Sequence, residues 1–198
     1  MSINAETLKE KCREFSELEG RASFYDIATE VVNDHPLQAS IIILATWNVG
    51  RFRFIVNDPQ NLVDLKNALE ECVPLFAKIK DKNFQTVNFD EIGEVIKCIY
   101  SKLSAVKGAE YTGSSKIIHL LNQNLFVMWD TYIRDGYKKK EKIPEGTSGD
   151  DFLKFQKLMQ KLFGHIKWED PIKTLPKAID EYNYIIYTLP ELRKRRRK

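Results

Sequence analysis

The sequence predicts an all-α fold, and three observations support that prediction. Apolar residues recur three or four positions apart in most segments, as at Leu8, Cys12 and Phe15, which is the spacing of one helix face. Residues that commonly cap or break helices stand between these segments. No stretch of useful length alternates apolar and polar residues with the two-residue period of a half-buried strand.

The first quarter of the chain contains three predicted helices. Gly20 ends the first helix, and Ser23 is a suitable N-cap for the second. Pro36 fits the first turn of the third helix, which is apolar on nearly all sides and is therefore expected to be central and buried. A short strand is the alternative at Ile41–Ile43, because β-branched residues favour strands. The predicted helices cover 5–19, 23–32 and 37–46.

The remainder of the chain contains six further predicted helices, over 59–80, 90–106, 114–121, 131–137, 150–163 and 175–187. Pro74 is expected to kink or end the first of them. A loop containing Gly108 and Gly113 separates the second from the third. Asp130 is placed to cap the helix that follows it, and a charged loop is expected over 138–149.

Composition indicates one helical domain over 1–192 followed by a basic, disordered tail over 193–198. Hydrophobic residues make up 43% of the 198 residues, enough for a sizeable core. The net charge is only +3, but the last six residues are all cationic, and like charges repel. Such a tail can bind phosphate groups by releasing counterions. The alternatives are that it only increases solubility or that it is a nuclear localisation signal.

The chain is expected to be intracellular, in the cytoplasm or nucleoid, or in the nucleus of a eukaryote. Its longest apolar run, Ile41–Ala45, is too short to span a bilayer, and its N-terminus is unlike a secretory signal. No membrane partner is therefore expected, and a monomer is assumed. The sequence contains no metal-binding or nucleotide-binding motif, so neither a metal nor another cofactor is predicted.

The segment that could carry chemistry runs from Tyr111 to Arg134. It predicts a small-residue turn at Thr112–Ser114, a helix with Lys116 in its first turn, a second turn, and Asp130 at the start of the next helix. A turn before a helix directs backbone N–H groups outward, and these bind phosphate. The helix dipole would disfavour the charged form of Lys116, which could then attack a sugar carbon. The alternatives are that Lys116 is an ordinary exposed lysine and that Asp130 is only a helix N-cap.

This segment resembles the helix-hairpin-helix DNA glycosylase superfamily of endonuclease III and 8-oxoguanine glycosylase. Lys116 falls at the position of the family's Schiff-base lysine. The run from Trp129 to Arg134 is similar to the family's Val-Asp-x-His-Val-x-Arg run, with Asp130 as the catalytic carboxylate and Tyr132 in place of histidine. Upstream, the helix that contains Pro36 is similar to a helix of this family that ends in an amide residue. In the family, that amide residue fills the gap left in the duplex by the flipped base.

The resemblance implies a two-lobed helical bundle with a helix-hairpin-helix motif and a central cleft. The implied partner is double-stranded DNA with a damaged or mismatched base, which is excised after flipping, with possible strand incision by β-elimination. The implied catalytic residues are Lys116 and Asp130. The implied DNA contacts are Asn48, Arg51, Gly113, Ser114, Ser115, Lys138 and Lys139, and the implied base pocket contains Trp47, Trp129 and His119.

The sequence also departs from the family pattern. Lys116 and Asp130 are closer in sequence than the family's pair, the hairpin glycines are not reproduced, and the C-terminal four-cysteine cluster of endonuclease III is absent. Two alternatives therefore remain. One is a non-catalytic DNA-binding or adaptor protein that retains the hairpin, and the other is a helical interaction module with no nucleic-acid role.

Overall fold

The computed structural model describes residues 3–141 and 146–196, and this part of the chain is helical with no strand. The prediction of an all-α fold is confirmed. The α-helices are α1 (Ala5–Leu18), α2 (Ala22–Val31), α3 (Pro36–Trp47), α4 (Val49–Asn57), α5 (Pro59–Ala77), α6 (Gly93–Ser104), α7 (Glu110–Leu121), α8 (Thr131–Glu141), α9 (Gly149–Phe163), α10 (Leu175–Asn183) and α11 (Leu189–Arg196). A π-helical turn, Tyr184–Thr188, joins the last two.

Several helix starts follow from side-chain caps. Asn4 and Asp58 accept backbone N–H groups at the starts of α1 and α5, and Ser148 forms a capping box with Asp151 at the start of α9. Asp130 accepts from the Ile133 backbone N–H at 2.8 Å, which confirms its predicted capping role. The strand alternative at Ile41–Ile43 is wrong, because these residues lie in the middle of α3.

The predicted turn at Thr112–Ser114 is wrong, because these residues lie inside α7. The chain reverses earlier, between α6 and α7, where Gly108 has φ 104° and Glu110 has φ 50°. These left-handed backbone conformations provide the turn. Gly113 has a packing role instead: a Cβ built on it would lie 2.6 Å from Leu44 Cδ2 of α3.

Three other parts of the predicted organisation also differ, because helices run through polar or charged sequence. Residues 49–57, which lie between the predicted helices 37–46 and 59–80, form α4. The loop expected to begin at Lys138 begins later, since α8 continues to Glu141. The tail expected to be disordered from Arg193 is helical as far as Arg196, where Lys194 pairs with Glu191 and Arg195 lies over the ring of Tyr132. Residues 197–198 lie outside the described residues.

The helices pack around two groups of buried side chains. The larger group is centred on aromatic contacts between Trp129, Tyr100 and Phe152. The smaller group joins α2, α3 and α7 with the segment before α8 through Tyr25, Ala28, Val32, Ala39, Ile43, Leu120 and Met128. Because α7 contributes to both groups, its side chains lie where the two meet. Among the described helices, none is both long and apolar enough to cross a membrane.

Candidate active site

A small cavity lies where the two buried groups meet, and it brings Lys116 and Asp130 together. Its volume is about 30 Å³, which is room for roughly two water molecules. Side chains from α1, α2, α3, α7, α8, α10 and the π-helical turn surround it. The lining residues are Phe15, Tyr25, Ile43, Trp47, Lys116, Met128, Asp130, Ile133, Lys177, Asp180 and Tyr184.

Lys116 reaches this cavity from the middle of α7. It is the seventh of twelve residues in that helix, so its predicted place in a first turn, and the dipole argument built on it, are wrong. Its side chain is partly buried. Within residues 3–141 and 146–196 its ammonium group has no hydrogen-bond or ion-pair partner. The amine therefore lies in the cavity wall without a direct hydrogen bond or ion pair to the carboxylates described there.

Both carboxylate oxygens of Asp130 have hydrogen-bond donors. One accepts the Ile133 backbone N–H at 2.8 Å, and the other accepts the Thr188 hydroxyl at 2.7 Å. Burial raises the pKa of Asp130, while the charge of Lys116 and the two hydrogen bonds oppose that rise. The side chain is thus fixed in orientation, and its negative charge is desolvated next to a lysine.

A second pair of charged residues, Lys177 and Asp180, lines the cavity from α10. The Lys177 Nζ lies 3.4 Å from Asp180 Oδ2 and 3.3 Å from Glu181 Oε1, and it sits over the rings of Phe15 and Tyr25. Desolvation opposes its charge, but the two carboxylates outweigh this and raise the pKa of Lys177. The sequence analysis did not single out this pair.

The π-helical turn after α10 also contributes to the site. It places Tyr184 against the cavity and the Thr188 hydroxyl on Asp130. Such turns occur often at functional sites. The available sequence signal for this region was the i, i+3 and i+4 spacing of Lys177, Asp180 and Glu181 on an amphipathic helix, which is typical of a paired charge cluster.

His119 and Trp129, expected in a base pocket, are core residues and do not line the cavity. His119 is fully buried. Its Nδ1 donates to the Phe126 carbonyl oxygen at 2.6 Å, so its Nε2 accepts the Tyr25 hydroxyl at 2.7 Å. Burial lowers the pKa of His119 to about 4, which keeps it neutral. Trp129 donates through Nε1 to the Tyr111 carbonyl oxygen. Of the three expected pocket residues, only Trp47 lines the cavity.

Asn48 is not available to enter a DNA duplex. Its side chain is buried, and its Nδ2 donates to the carbonyl oxygens of Gly108 and Ala109 at 3.0 and 3.1 Å. Removing these bonds would leave polar groups unpaired in the interior. The amide therefore fixes the end of α3 to the turn before α7, and the role expected from the family resemblance is corrected to a structural one.

The structure also does not support the phosphate contacts expected at Gly113, Ser114 and Ser115. All three residues are buried in α7. The Ser114 hydroxyl donates to the Glu110 carbonyl oxygen, and the Ser115 hydroxyl donates to the Trp129 carbonyl oxygen at 2.9 Å. Helix-interior N–H groups are used in the helix, so these residues do not present a turn of outward-facing amides.

An open groove of about 490 Å³ adjoins the cavity and shares Trp47 and Asp130 with it. The starts of α4, α7 and α8 border this groove, and helix starts carry partial positive charge. Three arginines line it, Arg51, Arg53 and Arg195. Arg51 also pairs with Glu110 at 2.8 Å. Lys138 and Lys139 are exposed further along α8 and do not line the groove.

Comparison with known proteins gives no family assignment. No protein-family model matches the chain, and neither the curated proteins nor the solved structures contain a significant match. Within the described ranges, 3–141 and 146–196, no group of three or more His, Cys, Asp or Glu side chains is arranged to hold a metal ion.

Proposed function

We propose that this protein excises a damaged or mismatched base from DNA and can cleave the resulting abasic site by β-elimination. The observation that carries the proposal is the placement of Lys116 and Asp130 in one cavity beside a groove lined by arginines. A lysine amine and a fixed carboxylate are the two groups that a Schiff-base glycosylase requires.

On this proposal, the DNA backbone lies along the arginine-lined groove. Arg51, Arg53 and Arg195 supply cationic groups for phosphate oxygens, and the starts of three helices add partial positive charge. The two buried groups correspond to two lobes, and the groove and cavity together form the central cleft. The helix-hairpin-helix motif is then α6, the turn around Gly108, and α7.

In the proposed reaction, the neutral amine of Lys116 bonds to C1′ of the flipped nucleotide as the C1′–N glycosidic bond breaks. The base leaves with the electron pair of that bond and takes up the proton that the lysine nitrogen loses, and Asp130 stabilises the positive charge that develops on the sugar. The two hydrogen bonds on Asp130 hold its charge in place, so little reorganisation is needed as the sugar becomes cationic. The cavity is far smaller than a base, so binding must enlarge it. Trp47 lines both the cavity and the groove, and is the side chain that we expect to move.

Borohydride trapping tests this proposal. Duplexes carrying an abasic site or single base lesions are incubated with the protein and borohydride, which reduces an imine to a stable adduct. We expect the wild-type protein to form a covalent adduct that Lys116→Gln abolishes while DNA binding persists. Lys107→Gln is the matched control, because Lys107 is the nearest lysine of the turn before α7, and it should still be trapped.

Other outcomes of the same experiment have definite meanings. Trapping that persists in Lys116→Gln would assign the nucleophile to another amine. Release of free base without any adduct would mean that Asp130 activates a water molecule and that the lyase step is absent. DNA binding with neither adduct nor base release on any duplex would contradict the enzymatic proposal.

A second candidate function is a non-catalytic DNA-binding or adaptor protein. The observation that favours it is the cavity volume of about 30 Å³, which accommodates water and excludes a base without rearrangement. The arginine-lined groove would then bind DNA without a reaction following. An adaptor has no chemistry to lose, so Lys116→Gln and the wild-type protein would behave alike in the trapping assay.

A further inference from the structure

The cavity holds two carboxylates, and their hydrogen bonding differs. Asp130 is engaged at both oxygens, by a backbone N–H and by the Thr188 hydroxyl. Two donors fix the orientation of this carboxylate and stabilise its negative charge, so it is suited to electrostatic stabilisation of a developing cation. Asp180 has one partner among the described residues, the Lys177 ammonium, at the long distance of 3.4 Å.

Asp180 is also not essential for holding the buried charge of Lys177. Lys177 lies 3.3 Å from Glu181 Oε1, so a carboxylate partner remains when Asp180 is protonated. A buried ammonium without any partner would be costly. Asp180 itself lines the cavity that the Lys116 side chain also lines.

We propose that Asp180 is the proton acceptor for Lys116, and that Asp130 serves only to stabilise charge. This inference rests on the proposed function and assigns separate roles to the two carboxylates in its site. The cavity has room for about two waters, one of which can carry the proton between the two side chains. The charged or titratable groups that line the cavity are Lys116, Lys177, Asp130, Asp180, Tyr25 and Tyr184. Behind them, His119 contacts the Tyr25 hydroxyl, and Glu181 pairs with both Lys177 and Lys173.

The proton balance can be written for an abasic-site aldehyde. The Lys116 ammonium gives one proton to the Asp180 carboxylate and becomes a neutral amine. The amine nitrogen bonds to C1′, and one of its protons moves to the aldehyde oxygen, giving a carbinolamine. The carbinolamine hydroxyl then leaves as water, taking the proton held by Asp180. The products are a protonated imine, water and the original carboxylate, and no further reactant is required.

The test is the rate of borohydride trapping on a duplex containing an abasic site, measured from pH 6 to pH 9. This probe needs no base in the cavity. We expect Asp180→Asn to slow trapping by about a hundredfold at neutral pH, the usual contribution of a positioned proton acceptor. The deficit should shrink as the pH rises, because solvent base then removes the proton. A general loss of structure would not give this recovery.

Glu181→Gln is the matched control. It also removes one carboxylate from Lys177, but Glu181 does not line the cavity, so trapping should remain near the wild-type rate. Thermal unfolding checks that each variant folds, and Asp180→Ser repeats the test should the Asn variant not fold. Equal losses in Asp180→Asn and Glu181→Gln would overturn the inference, since the effect would then come through Lys177.

A failure of this inference is distinguishable from a failure of the proposed function. Wild-type trapping that requires Lys116 and is unchanged in Asp180→Asn across the pH range would overturn the role of Asp180 alone. The absence of any wild-type adduct would overturn both the lyase chemistry and this inference.

Discussion

The Asp130 carboxylate is held by two hydrogen bonds, yet its desolvation disfavours its charge. Burial raises the pKa of Asp130 even though Lys116 and the two donors oppose the rise. An acid whose pKa is higher in the folded state binds its proton more tightly there than in the unfolded chain. Ionisation of Asp130 therefore weakens folding, and this cost is present at neutral pH and disappears as the pH falls below the unfolded-state pKa.

We expect Asp130→Asn to raise the melting temperature at pH 7 while abolishing base excision. The Asn carbonyl oxygen can still accept the Ile133 N–H, and the amide can donate to the Thr188 hydroxyl oxygen. The stabilisation should shrink as the pH falls towards 3, because the wild-type carboxylate becomes neutral too. Thermal unfolding across this range measures it.

Asp58→Asn is the control for that prediction. Asp58 caps α5 through the Gln60 N–H and is exposed, and Asn caps about as well as Asp. It should leave the melting temperature at pH 7 nearly unchanged. A lower melting temperature for Asp130→Asn than for the wild-type protein at pH 7 would contradict the view that the buried charge is a cost to folding.

At the scale of elements, the contact between α3 and α7 fixes the position of Lys116. Gly113 allows this close approach, since an added Cβ would meet Leu44 Cδ2 at 2.6 Å and Asn48 Nδ2 at 2.8 Å. Asn48 is itself fixed by two hydrogen bonds to the turn before α7. The small residue and the buried amide therefore set the register in which Lys116, one turn further along α7, enters the cavity wall.

We expect Gly113→Ala to lower the free energy of unfolding. Overpacking of a tight contact costs about 1–3 kcal/mol, and the helix preference of Ala over Gly offsets at most about 1 kcal/mol of this. Gly50→Ala is the matched control: Gly50 is also helical, and a Cβ there would meet nothing within 4 Å. It should be neutral or stabilising. Urea denaturation distinguishes the two, and equal effects would show that Gly113 is not a packing contact.

The helices were predictable where the pattern of apolar residues is strong and where caps are local. Both signals were present for α1 and α9, whereas α3 was recognised from Pro36 and its continuous apolar run. They failed at Gly113, which sequence reasoning places in a turn because glycine is common there, whereas the requirement for glycine is a contact with α3. No local pattern reports a close approach between helices distant in the sequence. Local sequence also did not indicate α4, because its polar face carries two arginines and its stability depends on packing.

The candidate site was predictable to a similar degree. Lys116 and Asp130, which the sequence analysis assigned to one site, line the same cavity. The physical argument for Lys116 assumed that its helix begins beside it, whereas α7 begins six residues earlier, at Glu110. Lys177 and Asp180 were missed because sixty or so residues of sequence separate them from Lys116, and their burial follows only from how α10 packs on α1 and α2. Asn48 and Trp129 were misassigned because sequence alone does not distinguish a polar or aromatic side chain that packs in the interior from one that contacts a ligand.

At the scale of the whole molecule, the distribution of charge matters more than its sum. The net charge is +3, which by itself would not indicate a nucleic-acid partner. Arginines from α4 and α11, far apart in the sequence, nevertheless line one groove beside the cavity. The helical extension of the C-terminus is what brings Arg195 there, over the ring of Tyr132 at 5.2 Å. A disordered tail would not hold a cation at this position.

This arrangement predicts that Arg195 and Arg193 contribute differently to DNA binding. Arg195 lines the groove, whereas Arg193 is exposed on the same helix and does not. We expect Arg195→Ala to weaken duplex binding at low salt and to reduce the slope of log affinity against log salt concentration by about one, as the loss of one phosphate contact does. Affinity should fall equally for different sequences, because phosphate contacts carry no base information.

Arg193→Ala is the matched control, since it removes the same charge from the same helix. Fluorescence anisotropy with one duplex at several salt concentrations measures both slopes, and thermal unfolding shows whether either variant is destabilised. If the groove binds the backbone, only Arg195→Ala changes the slope. Equal reductions in both variants would mean that the C-terminal helix attracts DNA through its overall charge, and an unchanged slope in both would place the DNA elsewhere on the molecule.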